Sequence, residues 1–397
     1  MQRHVLFICD FNSPHSRSLI SYHVKHRLFK ITVISTFWAE EMSGVELILL
    51  SENRLDSKSS IVGSVAGLIQ SLSTKLYIRL SAFRLYRISM NLSTLLNRLK
   101  LNFNPDVIHI LRTQPEGVAS VDFLKKYDAP KFLTTWGQDF VLWAKSNSWL
   151  NKRTELLLDQ INVVFPDNHR DERIIKEKYN PGQINSYVMP ATGGLQIDYL
   201  NKFLLEPAIQ FNEAKTFFTN RGYPSSFVKL KELLYAFKIV LNRYPSSHFY
   251  IDLMSRVNIK RDKTILKWIS NLGLNKNVSI LHLTREESFV YLKSCDYYLS
   301  ATTSDGLPLS LLESLFFGII PIVYNHESTL NLLDEFEEMY VYDILHPRAI
   351  SETIFMILEK SNIDRKLNEI SNRKVIEKRY GQSKNLKGTL RHYIHNE

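Results

Sequence analysis

The chain has 397 residues, 44% of them apolar, with few Gly and Pro, so disorder does not dominate and two domains are expected at roughly 100–200 residues each. Its net charge of +10 points to an anionic partner. The two cysteines, Cys9 and Cys295, read as buried thiols rather than a bridge, as fits a reducing compartment.

Taken in order, the elements alternate. An apolar run over residues 5–9 predicts a strand, and Asn12-Ser13-Pro14-His15-Ser16 breaks it. Helical spacing follows over 18–29, then a β-branched run over 31–35. Strands are expected over 107–111, 131–135, 161–165 and 187–189, with a helix over 118–126. A second series opens with a strand over 216–219 and a long helix over 229–244. Its further strands fall at 248–252, 278–281, 297–300 and 320–324, with helices at 263–272, 286–293, 309–316 and 349–359 between them. Such alternation predicts an α/β protein of two doubly wound domains, divided where the pattern pauses near 200–213. Ligands of these folds bind at the carboxyl ends of the strands, so the site is expected in a cleft where the two domains face each other.

The most informative stretch is Ser304-Asp305-Gly306-Leu307-Pro308-Leu309-Ser310-Leu311-Leu312-Glu313. It follows a strand and opens a helix. Pro308 suits the first helical turn, Gly306 permits close backbone approach, and the helix start offers free N–H groups to a phosphate. Asp305 stands at the mouth and Glu313 lies further down the helix. On spacing alone the two acids read equally as a cap and a surface glutamate.

The run SDGLPLSLLESLFFGIIPIV resembles the signature of retaining family-4 glycosyltransferases (glycosyl transferases group 1), whose two acids have seven residues between them. The first acid is usually Glu; here it is Asp305. SPHSRSL is similar to the family's first loop, TTWGQD to its TxHGxD-type loop with Trp136 where His is common, and PATGGLQID to its hinge. The resemblance implies the GT-B fold. It implies an N-terminal acceptor-side domain over 1–205, a nucleotide-sugar domain over 206–374, and a closing helical segment over 375–397 that crosses back to the first domain. It implies that Glu313 holds the ribose hydroxyls of the nucleotide and Asp305 the donor sugar, with Ser304, Gly306 and Leu307 lining the donor. Arg221 fits the family's diphosphate arginine. Lys229 and Lys231 both qualify as its lysine, with Lys229 preferred. An Arg–Lys pair suits a diphosphate leaving group, because both neutralise charge as the glycosidic bond breaks. The plain alternative is two solvated cations at a helix start. Asp139, His15 and Trp136 fall in first-domain loops as candidates for sugar or acceptor contact, against a helix cap for Asp139 and a loop-fixing bond for His15. His109, inside a strand, reads as structural.

Other chemistries find little in the chain. It contains no Asp-x-Asp, no Cys/His cluster with zinc spacing, no G-x-G-x-x-G or Walker loop and no G-x-S-x-G elbow. No cofactor or metal is therefore expected beyond the nucleotide-sugar substrate. Residues 57–105 carry no Asp or Glu, and 68–98 mix apolar residues with Lys75, Arg79, Arg84 and Arg87 at helical intervals. This reads as an amphipathic helix for an anionic membrane surface, or as a core helix with a solvated basic face. Nucleic acid is not expected, since no reading motif accompanies the charge. With no signal-peptide-like or membrane-spanning run, a cytoplasmic protein is expected, peripheral on the inner face of the plasma membrane if that segment docks.

The reading is a metal-independent, retaining hexosyltransferase that uses a UDP- or GDP-sugar. Its acceptor is a glycan or a lipid-linked molecule, in bacterial surface polysaccharide (capsule or lipopolysaccharide) or glycolipid assembly. The rivals are a nucleotide-sugar epimerase on the same fold and an inactive GT-B subunit that binds a partner.

Overall fold

The structure is a computed structural model that describes residues 2–27, 29–50, 74–179, 184–222, 227–253, 259–360 and 365–395. It divides into two compact units, Met1–Gly194 with Tyr380–Glu397, and Leu195–Arg379.

The first unit carries strands β1 (His4–Cys9), β2 (Lys30–Ser35), β3 (Glu46–Leu49), β4 (Val107–Leu111), β5 (Lys131–Thr134), β6 (Val163–Phe165) and β7 (Asn185–Ser186). All pair in parallel, in the order β3-β2-β1-β4-β5-β6-β7. Its helices are α1 (Pro14–His26), α2 (Thr74–Arg98), α3 (Val118–Leu124), α4 (Ser148–Leu158) and α5 (His169–Ile174). A strand's side chains alternate between faces, and a parallel sheet is covered on both. Val5, Phe7 and Cys9 accordingly enter one core cluster, and Leu6 and Ile8 the other. That is why β1 reads as an unbroken apolar run. His109 sits in the core as expected: its Nε2 is 2.8 Å from Thr134 Oγ1 and its Nδ1 bonds the Tyr393 hydroxyl.

The second unit begins with α6 (Ile197–Leu204) and β8 (Lys215–Thr219). It continues through α7 (Leu230–Arg243), β9 (Ser247–Asp252), α8 (Ile259–Asn271), β10 (Val278–Leu281), α9 (Arg285–Ser294) and β11 (Tyr297–Ser300). It ends with α10 (Leu309–Phe316), β12 (Ile320–Tyr324), α11 (Glu327–Leu333), β13 (Tyr340–Tyr342), α12 (Pro347–Leu358) and α13 (Arg365–Arg379). The six strands run β10-β9-β8-β11-β12-β13, all parallel. Both units are thus Rossmann-like, as the alternation predicts. Cys9 and Cys295 are free and buried.

Three local expectations shift. The helix expected from 18 begins at Pro14, which the first turn tolerates because its N–H would be unpaired there. The last strand of the first sheet pairs at Asn185–Ser186 rather than over 187–189, although Tyr187 and Met189 still donate to Val164 O and Pro166 O. The closing helical segment is two helices, α13 and α14 (Gln382–His395), interrupted at Tyr380-Gly381. The Gln382 amide starts α14 by bonding Thr192 O at 2.9 Å and Ser18 Oγ at 2.8 Å. From there Leu386, Leu390 and Tyr393 enter the first unit's core. No described helix is long and apolar enough to cross a membrane.

Leu386 is fully buried against Gly193, whose φ of 82° suits glycine. Leu386→Ala should destabilise the first unit by about 2–5 kcal/mol, the range for emptying a buried leucine site. Thermal unfolding followed unit by unit should show the second unit's transition unmoved.

Candidate functional site

In the second sheet the strand order reverses between β8 and β11, so the loops leaving these neighbours diverge and open a crevice. Arg221 leaves β8 on one side, and residues 302–308 leave β11 on the other. The two sides meet in an ion pair: Arg221 Nη2 lies 2.7 Å from Asp305 Oδ2, with both side chains about a quarter exposed. Asp305 is also fixed locally, since its Oδ1 accepts from Gly306 N at 2.9 Å and its carbonyl from Ser328 Oγ at 3.0 Å. The pair borders a depression of about 280 Å³ that Tyr298, Pro308, Tyr324 and His326 help to line. Beneath it, the buried Tyr298 hydroxyl donates to Asn220 Oδ1 at 3.2 Å, and burial pushes its pKa up to about 12.

Glu313 sits in α10 at 1% exposure. One carboxylate oxygen pairs with the Arg285 guanidinium. The other, Oε2, is buried with no hydrogen-bond partner among the described residues. Burial raises the Glu313 pKa, and the nearby Arg285 and Arg221 guanidiniums act against the rise. A buried carboxylate oxygen without a donor is costly. Glu313 is therefore not the surface glutamate of the bland reading. Lys229 is half-buried at the start of α7, and its N–H bonds Ala301 O at 3.0 Å, which ties it to the end of β11. Lys231 is exposed and lies over its own helix neighbour Tyr235, 5.8 Å from the ring centroid. Gly306 is buried, while Ser304 and Leu307 are half-buried beside Asp305.

Residues 223–374 match the family described as Glycosyl transferases group 1. The second unit carries a glycosyltransferase group 1 domain. Solved structures show the same overall architecture at low identity. A sucrose-phosphate synthase of Thermosynechococcus elongatus is 11% identical, with 99% of each chain covered and a TM-score of 0.69. A UDP-forming trehalose-phosphate synthase of Burkholderia xenovorans is 9% identical, with 99% of each covered and a TM-score of 0.73. An E. coli trehalose-6-phosphate protein bound with UDP-2-fluoro glucose is 11% identical, covering 98% of this chain and 99% of that one, at a TM-score of 0.69. The fold is GT-B. No curated protein sequence matches the chain significantly.

Sequence reasoning missed Arg285 in the glycosyltransferase domain. Its position follows from a capping box: Thr284 Oγ1 accepts from Glu287 N at 3.3 Å, and Glu287 Oε2 accepts from Thr284 N at 2.8 Å. That fixes the first turn of α9 with Arg285 inside it, over the Phe289 ring at 4.5 Å. The TREE run was the available signal for the cap, but nothing in it identifies a partner 28 residues away.

In the first unit, Trp136 and Asp139 follow β5, while His15 lies not in a loop but in the first turn of α1, and its ring meets that of Trp136. The Trp136 ring packs against Arg112, 4.6 Å from the ring centroid, and against the His15 ring at 4.9 Å. Asp139 is 2% exposed, and its Oδ2 accepts from both Thr113 N and Trp136 N at 2.9 Å. It joins the turn after β4 to the turn after β5, and burial pushes its pKa up to about 7. Arg112 and Glu116 were not anticipated. Arg112 has a φ of 99°, a strained value for a residue with a side chain. Its guanidinium forms two bonds to the fully buried Glu116 carboxylate, with Nε 2.6 Å from Oε2, and Glu116 also accepts from Thr36 Oγ1 at 3.2 Å.

Two outcomes follow for these acids. Asp139→Ala leaves two backbone donors without an acceptor and should cost about 2–3 kcal/mol, whereas Asp139→Asn keeps the acceptor. Because the folded Asp139 pKa lies above its unfolded value, the native state holds a proton that the unfolded state has lost between about pH 4 and pH 7. Its contribution to stability therefore falls as pH rises through that window. Chemical denaturation across pH should show the decline in the parent and not in Asp139→Asn. Arg285→Gln removes the counter-charge of a buried acid, so its loss of melting temperature should be larger at pH 8 than at pH 5. Adding Glu313→Gln should recover most of that loss.

Proposed function

We propose that the protein transfers a hexosyl group from a UDP- or GDP-sugar to a glycan or lipid-linked acceptor, with retention at the anomeric carbon. The observation that carries this reading is the buried, unpartnered Oε2 of Glu313 close to the Arg221–Asp305 pair at the β8/β11 crevice. A ribose hydroxyl is a donor that such an oxygen lacks. The structural neighbour bound with UDP-2-fluoro glucose supports a nucleotide-sugar as the donor class.

In this reading Glu313 holds the ribose, and Arg221 and Lys229 meet the diphosphate together with the amide end of α10. Lys229 is preferred over Lys231, which rests on Tyr235. Asp305, framed by Ser304, Gly306 and Leu307, contacts the sugar hydroxyls while its other oxygen steers Arg221. The bond from the anomeric carbon to the diphosphate oxygen breaks and a bond to the acceptor oxygen forms. The acceptor's proton passes to the departing phosphate, so no protein base is required. Arg221 and Lys229 stabilise the growing phosphate charge in place of a metal ion. Trp136 and His15 sit on the acceptor side, with Asp139 holding the Trp136 turn rather than touching sugar. Surface polysaccharide or glycolipid assembly is the proposed setting.

Calorimetry with UDP, GDP, their glucose and mannose conjugates, and uridine and guanosine tests the assignments. Glu313→Ala should weaken the preferred nucleotide and its nucleoside alike, by roughly 10- to 100-fold for one or two lost charge-assisted bonds. Arg221→Ala should weaken the sugar diphosphates far more than the nucleosides. Unchanged affinity in Glu313→Ala would remove that residue from the site. Equal losses for both ligand classes in Arg221→Ala would refute its diphosphate role. Donor turnover without an acceptor to a C2- or C4-epimer would replace transfer with epimerisation, and binding without turnover would favour the partner-binding subunit.

A further inference from the structure

Helix α2 is more than the cover of a sheet face. Its inner side is buried: Ala82, Ser89, Leu92 and Leu96 are at most 4% exposed, and Leu92 and Leu96 join the core cluster that contains Ala119 and Val121 of α3. Its outer side carries large apolar residues in the open. Leu80, Phe83, Met90 and Leu95 are 38–57% exposed, with Phe83 the most exposed of them. Arg79, Arg84, Arg87 and Arg98 are exposed as well. At 100° per residue these eight positions fall within an arc of roughly 160°, and the four buried positions fall outside it. No acid interrupts the arc, since residues 57–105 contain neither Asp nor Glu.

The arc also holds the exposed Asn91, Thr94 and Asn97, all in the C-terminal half of the helix; in the N-terminal half Leu80 and Phe83 stand among Arg79, Arg84 and Arg87, where a solvated basic face would place polar residues. A face for another protein would pair several of its cations with acids, whereas a bilayer supplies phosphate all along the helix. Interleaved arginine and apolar side chains suit a layered partner with anionic charge at one depth and hydrocarbon just below it. We propose that the outer face of α2 docks on the surface of an anionic lipid bilayer. Phe83, Leu80, Met90 and Leu95 enter the headgroup–acyl boundary, and the four arginines pair with lipid phosphates, their stems lying along the apolar layer. The helix lies flat and does not span. This goes beyond the transfer reaction and does not depend on it.

Sedimentation of the full chain with vesicles tests the proposal without any turnover. With phosphatidylcholine containing about 30% phosphatidylserine at ~0.1 M salt, the protein should pellet; with pure phosphatidylcholine, or at ~1 M salt, it should not. Replacing Arg79, Arg84, Arg87 and Arg98 by Gln should lower partitioning by about 100-fold or more. Leu80→Ser with Phe83→Ser, which leaves the charge intact, should lower it by roughly 10-fold. All these positions are exposed, so circular dichroism should show a native fold, and nucleotide affinity should be unchanged. Failure of the parent protein to pellet with anionic vesicles overturns the proposal. So does pelleting unaffected by the serine pair, because charge alone would then explain it. Displacement from vesicles by duplex DNA at equal phosphate concentration would transfer the surface to nucleic acid and also overturn it.

Discussion

A parallel sheet whose strand order reverses beside its first strand sends two adjacent chains in opposite directions, and nothing in the sheet can fill the gap between their loops. Both sheets of this protein have that reversal, at β1/β4 and at β8/β11. The chain places charge at each. In the second unit the gap is bridged by Arg221 and Asp305. In the first, Arg112 leaves β4 in a strained conformation that its bonds to Glu116 hold in place. Burial of the strands obliges these groups to find partners close by, and the partners then aim the side chains that remain accessible.

The acids differ according to what replaces water around them. Glu116 is buried and engaged by Arg112 and Thr36. Asp139 is buried and fed by two backbone amides, which do not fully offset burial. Glu313 is buried with one oxygen engaged and one not. Of the three, only Glu313 has an acceptor atom left unserved by the described residues. Residue type does not make that distinction; the count of donors around each oxygen does.

Much of the fold was legible because apolar runs mark buried strands without ambiguity: β1, β4, β11 and β12 fall within a residue or two of their expected places. The edge strand β10 also falls where expected, at Val278–Leu281, but the edge strands β3 and β13 were not foreseen. Glu46–Leu49 is only half-buried, and Tyr340–Tyr342 is three residues long, so neither leaves a periodic trace. In the site, Arg221 and Asp305 were found because they follow strands and match a family pattern, and the structure does bring them together. Asp139 was identified by position, but its satisfaction by Thr113 and Trp136 needs coordinates. Arg285 and Arg112 were missed for a different reason. Arg285 meets its acid from a separate helix 28 residues away, while Arg112 owes its role to a backbone turn that Arg is not expected to adopt.

The return of α14 to the first unit makes that unit discontinuous in the chain, with the whole of residues 195–379 inserted between its parts. Leu386, Leu390 and Tyr393 belong to the same core cluster as Val5, Phe7 and Val33. During synthesis the inserted residues take on the order of ten to forty seconds to appear at about 5–20 residues per second. Over that interval the glycosyltransferase domain can complete its own core, whereas the earlier-made unit holds one face of its sheet open. The core that β1 and β4 share with Leu386, Leu390 and Tyr393 is complete only once α14 has been made.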